Sequence, residues 1–157
     1  MLSDWLIEQG IAFNTSCPYI HEQNGLAKRS IRVIADRLHA TMAWSRLPSN
    51  LWSAVITGVV MLVNITAVTN RPSSPYQELL KDYDQITPEH YPNLINLRAI
   101  GAAIKVLIPH EKRVKSRKLA PRTEPSRLLA TLGNNTYLVY LLKKKVVTKT
   151  TFITFIH

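Results

Sequence analysis

Metal binding, nucleophilic catalysis and phosphate recognition each need particular side chains at particular spacings. In this chain of 157 residues the first two are poorly provided for. Cys17 and His21 stand four apart, but His39, His90, His110 and His157 supply no second close pair. A tetrahedral zinc site is therefore not built. As a nucleophile and base, Cys17 and His21 lack a third group to orient the imidazole. The single cysteine also excludes an intrachain disulfide framework and fits a reducing compartment. Phosphate recognition is better served. Lys112, Arg113, Lys115, Arg117 and Lys118 fall within seven residues, and Lys143, Lys144 and Lys145 are consecutive. The first of these runs, Lys112 to Lys118, would neutralise phosphates and give salt-dependent, largely sequence-independent affinity for DNA or RNA. Tyr137 and Tyr140 lie close by in sequence, either to stack on bases or to pack a strand.

The charge that these clusters contribute is unevenly spread. Residues 1–97 carry seven Lys+Arg and eight Asp+Glu, whereas residues 98–157 carry thirteen and two. The second part is thus +11 and the first −1, so the net charge of +10 comes entirely from the second, as expected of a basic binding module joined to a different one. With 46% hydrophobic and 19% charged residues, the composition is globular rather than disordered. The first ten residues carry Asp4 and Glu8 and no basic or long apolar stretch, so no secretory signal is read there and a nuclear or cytoplasmic location is expected.

Several elements must position these residues. A short helix is expected over residues 4–9, stopped at Gly10, with a short strand at 11–13 and a loop from Asn14 to Gly25. Leu26, Ile31, Ile34, Leu38 and Met42 then fall near helical spacing and predict a long helix ended by Pro48, with Ser49 or Asn50 capping the next. From Leu47 to Asn70 there is no charged residue. That stretch reads as a buried core helix. The alternative is a membrane span, weakened by its scattered Ser, Thr and Asn residues. Pro72, Pro75, Pro88 and Pro92 mark a linker with at most one short helix, near Tyr76–Lys81. Beyond it, residues 103–108, 127–132, 137–142, 145–148 and 152–156 read as five short strands, with a turn at 133–135, the pattern of a small β-barrel.

Residues 10–34 contain Gly10, Ile11, Ser16, Pro18, Tyr19, Gln23, Asn24, Gly25, Ala27 and Arg29 in an order that closely resembles the end of the integrase core in copia-type LTR retrotransposons. The resemblance continues through Leu47–Pro48 with Trp52, through Ser74–Pro75–Tyr76, and through Leu97–Arg98 with Gly101, Leu119, Pro121 and Arg122. It implies an α+β chain: residues 1–69 as the C-terminal part of an RNase H-like integrase core, 70–96 as a Pro-rich linker, and 97–157 as a basic SH3-like β-barrel. It departs from the family pattern where Ile65 and Ile100 replace an Arg and an aromatic residue.

Integrases of this type cut and join DNA with two Mg²⁺ ions held by an Asp-Asp-Glu set, because hard cations want carboxylate oxygens. The resemblance places Lys28 where the catalytic Glu belongs. An ammonium has no lone pair to give and repels the ion. The resemblance places the two Asp residues upstream of Gly10–Ile11, and Asp4 stands too near to serve as the second. Glu22, six residues before Lys28, is a poor substitute. The expectation is a catalytically dead, degenerate integrase-like fragment without a cofactor. In related retroviral enzymes basic residues on the following helix contact the DNA end. Lys28, Arg29 and Arg32 either retain that role or form an ordinary solvated helix face, with Asp36 able to pair with Arg32. Self-association through the incomplete core, or a structural remnant without nucleic-acid function, is the competing expectation.

Overall fold

The structure, a computed structural model, describes residues 2–10, 24–67, 72–81, 94, 97–110, 120–133 and 135–156. The expected strand at 11–13 and most of the loop after it lie outside the described residues. Helices and an antiparallel five-stranded sheet together give an α+β fold. The chain separates into two compact units, Met1–Val33 and Ile34–His157.

In the first unit, helix α1 (Leu2–Glu8) closes with backbone bonds from Gln9 to Trp5 and from Gly10 to Ile7. Helix α2 (Gly25–Ser45) begins in this unit and continues into the second. Its apolar stripe does two different things. Ile34, Leu38 and Met42 repeat every four residues and pack on the core of the second unit. Leu26 and Ile31 share the expected periodicity but remain 81% and 67% exposed. Periodicity marks a face that can be covered; whether it is covered depends on what tertiary structure brings to it.

The second unit is built around helix α3 (Trp52–Ile65) and the sheet. Ser49 and Asn50 do not cap α3 with their side chains, contrary to the sequence expectation. A 3₁₀ turn, Ser49–Leu51, leads into it instead, closed by Leu51 N–H donating to the Pro48 carbonyl at 3.0 Å. Fourteen residues of α-helix rise about 21 Å, short of a bilayer core. Among the described residues no helix is long and apolar enough to cross a membrane.

Helix α4 (Pro75–Lys81) packs against α3. A capping box starts it: the Gln77 amide donates to Ser74 Oγ at 3.3 Å, and the Ser74 amide donates to Gln77 Oε1 at 2.8 Å. Pro75 occupies the first helical position, where a missing N–H costs nothing. The Ser-Pro-Tyr element of the sequence is thus a helix start.

Strands β1 (Ala103–Leu107), β2 (Thr123–Thr131), β3 (Tyr137–Leu141) and β4 (Val146–Thr150) form an antiparallel meander. Strand β5 (Ile153–Phe155) returns beside β1, so the order is β4-β3-β2-β1-β5. One face gathers Ile104, Val106, Leu128, Tyr137, Val139 and Leu141, with Ile153 and Phe155 against them. The Tyr137 ring is buried and edge-on to Phe155, so it packs the sheet rather than awaiting a base. Tyr140 packs toward the helical side of the sheet.

Strand β2 starts at Thr123, four residues before its expected start. Pro125 obscured it, because proline lacks the ladder donor. Here Pro125 stands opposite Lys105 of β1, and the register with β3 begins at Ser126. A register shift between Leu128 and Ala130 brings the fully buried Leu129 and its neighbour Ala130 to the helical side. Leu129 joins Val55, Val59, Leu47, Leu51 and Ile100 in one buried cluster. Gly58 makes the approach possible: a Cβ there would lie 2.8 Å from the Leu129 carbonyl oxygen.

Gly101 precedes β1 with φ +88, and a Cβ on it would stand 2.6 Å from Ser45 Cβ. Its amide donates to the Leu128 carbonyl at 2.7 Å, while Arg127 Nη1 donates to the Gly101 carbonyl at 2.9 Å. Both the backbone angle and the contact require glycine. Gly101→Ala is expected to destabilise the second unit by about 2 kcal/mol, read as a lower urea midpoint. An unchanged midpoint would show that the turn at 99–101 relaxes freely.

Candidate nucleic-acid interface

The strand directions decide which loops share an end of the sheet. Leu107 pairs with Thr123, Ser126 with Leu141, and Leu141 with Val146. The β1–β2 connection and the β3–β4 hairpin therefore leave the sheet at the same end. The first connection carries Lys112, Arg113, Lys115, Arg117 and Lys118, which lie outside the described residues. Its base is described: the Ile108 amide donates to the Arg122 carbonyl at 2.8 Å. The second is a four-residue turn, Leu142 to Lys145, in which Lys145 takes φ +55 and its amide donates to the Leu141 carbonyl at 2.8 Å. Its three lysines are all exposed.

The two connections are tied at their roots. The Leu142 amide donates to the Pro125 carbonyl at 3.4 Å, and Lys144 Nζ stands 3.6 Å from Glu124 Oε2. The two connections whose sequences contain the basic runs thus leave adjacent strands at one end. Sequence reading noted the Lys143–Lys145 run but did not place it in a site. Three lysines between two strand patterns were the available signal. Glu124 was missed altogether, because it falls before the expected start of β2.

On α2, Lys28, Arg29 and Arg32 are exposed, with Lys28 and Arg32 one turn apart. Arg32 and Asp36 are both engaged in interactions. Lys28 does not fit a magnesium ligand: its ammonium offers no lone pair, and Mg²⁺ asks for carboxylate oxygens. Among the described residues no group of three or more His, Cys, Asp or Glu side chains could hold a metal. The exposed lysines of the β3–β4 turn can neutralise phosphates.

No family model matches the chain. Over 103 residues it is 27% identical to the retrovirus-related Pol polyprotein from transposon RE2 of Arabidopsis thaliana. That similarity supports a retrotransposon Pol origin. The match covers 66% of this chain and only 7% of that Pol polyprotein, so the chain corresponds to a small part of its relative.

Proposed function

We propose that this retrotransposon Pol-like chain is a degenerate, catalytically inactive integrase-like fragment of copia type that binds DNA or RNA through the basic end of its sheet. The observation that carries the reading is the convergence of the β1–β2 and β3–β4 connections, each with a basic run, at one end. Such a surface meets the phosphate backbone and reads no bases. The strand order β4-β3-β2-β1-β5, with the last strand returning beside the first, supports an SH3-like module over 97–157. The uncovered Leu26 and Ile31 on α2 are compatible with a helix from an incomplete RNase H-like core over 1–69. Lys28, at the position matching the family's catalytic Glu, removes the carboxylate on which the metal chemistry depends.

Two measurements test this. Fluorescence anisotropy with two duplexes of unrelated sequence is expected to give affinities within a few-fold of each other. A hundredfold preference for either would demand base readout. Strand-transfer assays with Mg²⁺ or Mn²⁺ on matched DNA ends are expected to yield no product above a chelator-treated control. Product that disappears on chelation would overturn the assignment of an inactive centre.

A further inference from the structure

We propose that Glu124 is a built-in latch that holds Lys144 away from the polyanion, so that the three hairpin lysines are not equivalent. The proposal rests on reading this end of the sheet as a phosphate-binding surface. Glu124 is an anomaly there. It sits on the inward side of β2 between Thr123 and Pro125, only 7% exposed, next to the buried Ser126. The Ser126 hydroxyl donates to the Glu124 backbone carbonyl at 3.2 Å and leaves the carboxylate alone. Among the described residues, Glu124 Oε1 is buried without a hydrogen-bond partner. Oε2 faces Lys144 Nζ at 3.6 Å.

The pair is lopsided. The Lys144 side chain is 62% exposed, that of Glu124 8%. Lysine alone can exchange this contact for water or phosphate. If it leaves, a buried carboxylate keeps no charged partner among the described residues, a state that costs more than losing a surface ion pair. A phosphate that recruits Lys144 must therefore work against Glu124. Lys143 and Lys145 flank Lys144 on the same turn, are exposed, and have no acidic partner among the described residues. They are free to meet phosphate. The latch also spans β2 and the β3–β4 hairpin, so it holds the turn against the base of the β1–β2 connection.

The test uses the full chain with four single variants, K143Q, K144Q, K145Q and E124Q, and the double variant E124Q/K144Q. Urea midpoints report on the latch without any nucleic acid. K144Q is expected to lower the midpoint in the parent and to leave it unchanged in the E124Q background. Equal shifts in both backgrounds would overturn the contact. Binding to a labelled duplex at several salt concentrations reports on its consequence. K143Q and K145Q are each expected to make the slope of log affinity against log salt shallower by about 0.9. K144Q should leave the slope unchanged, and E124Q should steepen it by about 0.9 as Lys144 is released. Loss of slope in K144Q equal to that in K143Q would overturn the latch while upholding phosphate binding. If the parent binds no duplex but E124Q does, the latch stands as a full block. If neither binds, the phosphate-binding reading falls, and the latch's effect on binding with it.

Discussion

Replacing Leu129 by Ala is expected to cost the second unit about 3 kcal/mol and to loosen α3 and the sheet together. Leu129 is fully buried and stands where the register shift in β2 turns it toward α3, among Val55, Val59 and Ile100. Removing its branched end leaves a hole between a helix and a strand that are both held by other contacts, so collapse is incomplete. Gly58→Ala attacks the same joint from the opposite side. Its new Cβ would stand 2.8 Å from the Leu129 carbonyl oxygen, a backbone atom that cannot swing away. Urea unfolding with amide hydrogen exchange checks both. In each variant the amides of α3 and β2 are expected to lose protection in parallel. Protection lost from the sheet while α3 stays intact would show that the helix draws its stability elsewhere.

The second large effect is electrostatic. Changing Lys112, Arg113, Lys115, Arg117 and Lys118 to Gln is expected to weaken duplex binding by at least about 100-fold at 0.1 M salt, with a salt slope shallower by about 4 to 5. The base of this connection is closed by the Ile108–Arg122 backbone bond, and β1 and β2 pair from Leu107 and Thr123 onward. Side-chain neutralisation leaves those bonds alone, so the urea midpoint should hold while affinity falls. Affinity retained in the five-fold variant would move the binding surface to the lysine hairpin or to Lys28, Arg29 and Arg32 on α2.

What was legible in the sequence follows from how locally each feature is determined. Helices α2 and α3 were visible because periodicity and an uncharged apolar run are properties of neighbouring residues. The short helix at Pro75–Lys81 was expected near Tyr76–Lys81, and the turn after β2 was visible through its glycine and asparagines. The exposure of Leu26 and Ile31 was not visible, since it depends on what is absent from their surroundings rather than on the helix itself. The missing side-chain cap on α3 has the same origin: backbone geometry at Pro48–Leu51 satisfied the helix entry before a side chain could. Most of the candidate interface was hidden too. The basic runs could be read as runs, but that their two connections share a sheet end is set by strand order and register, which pair residues far apart in sequence. Glu124 escaped because proline at the next position masked the alternation of β2, and only the fold reveals that its carboxylate faces inward beside Lys144.

The most direct test of the account is a salt titration of the unmodified protein on a random-sequence DNA duplex. With seven basic residues of the two connections meeting phosphates, and Lys144 held by Glu124, the slope of log affinity against log salt is expected to be about −6. A slope near zero would mean that binding does not release counterions, and it would contradict a phosphate-binding surface at this end of the sheet.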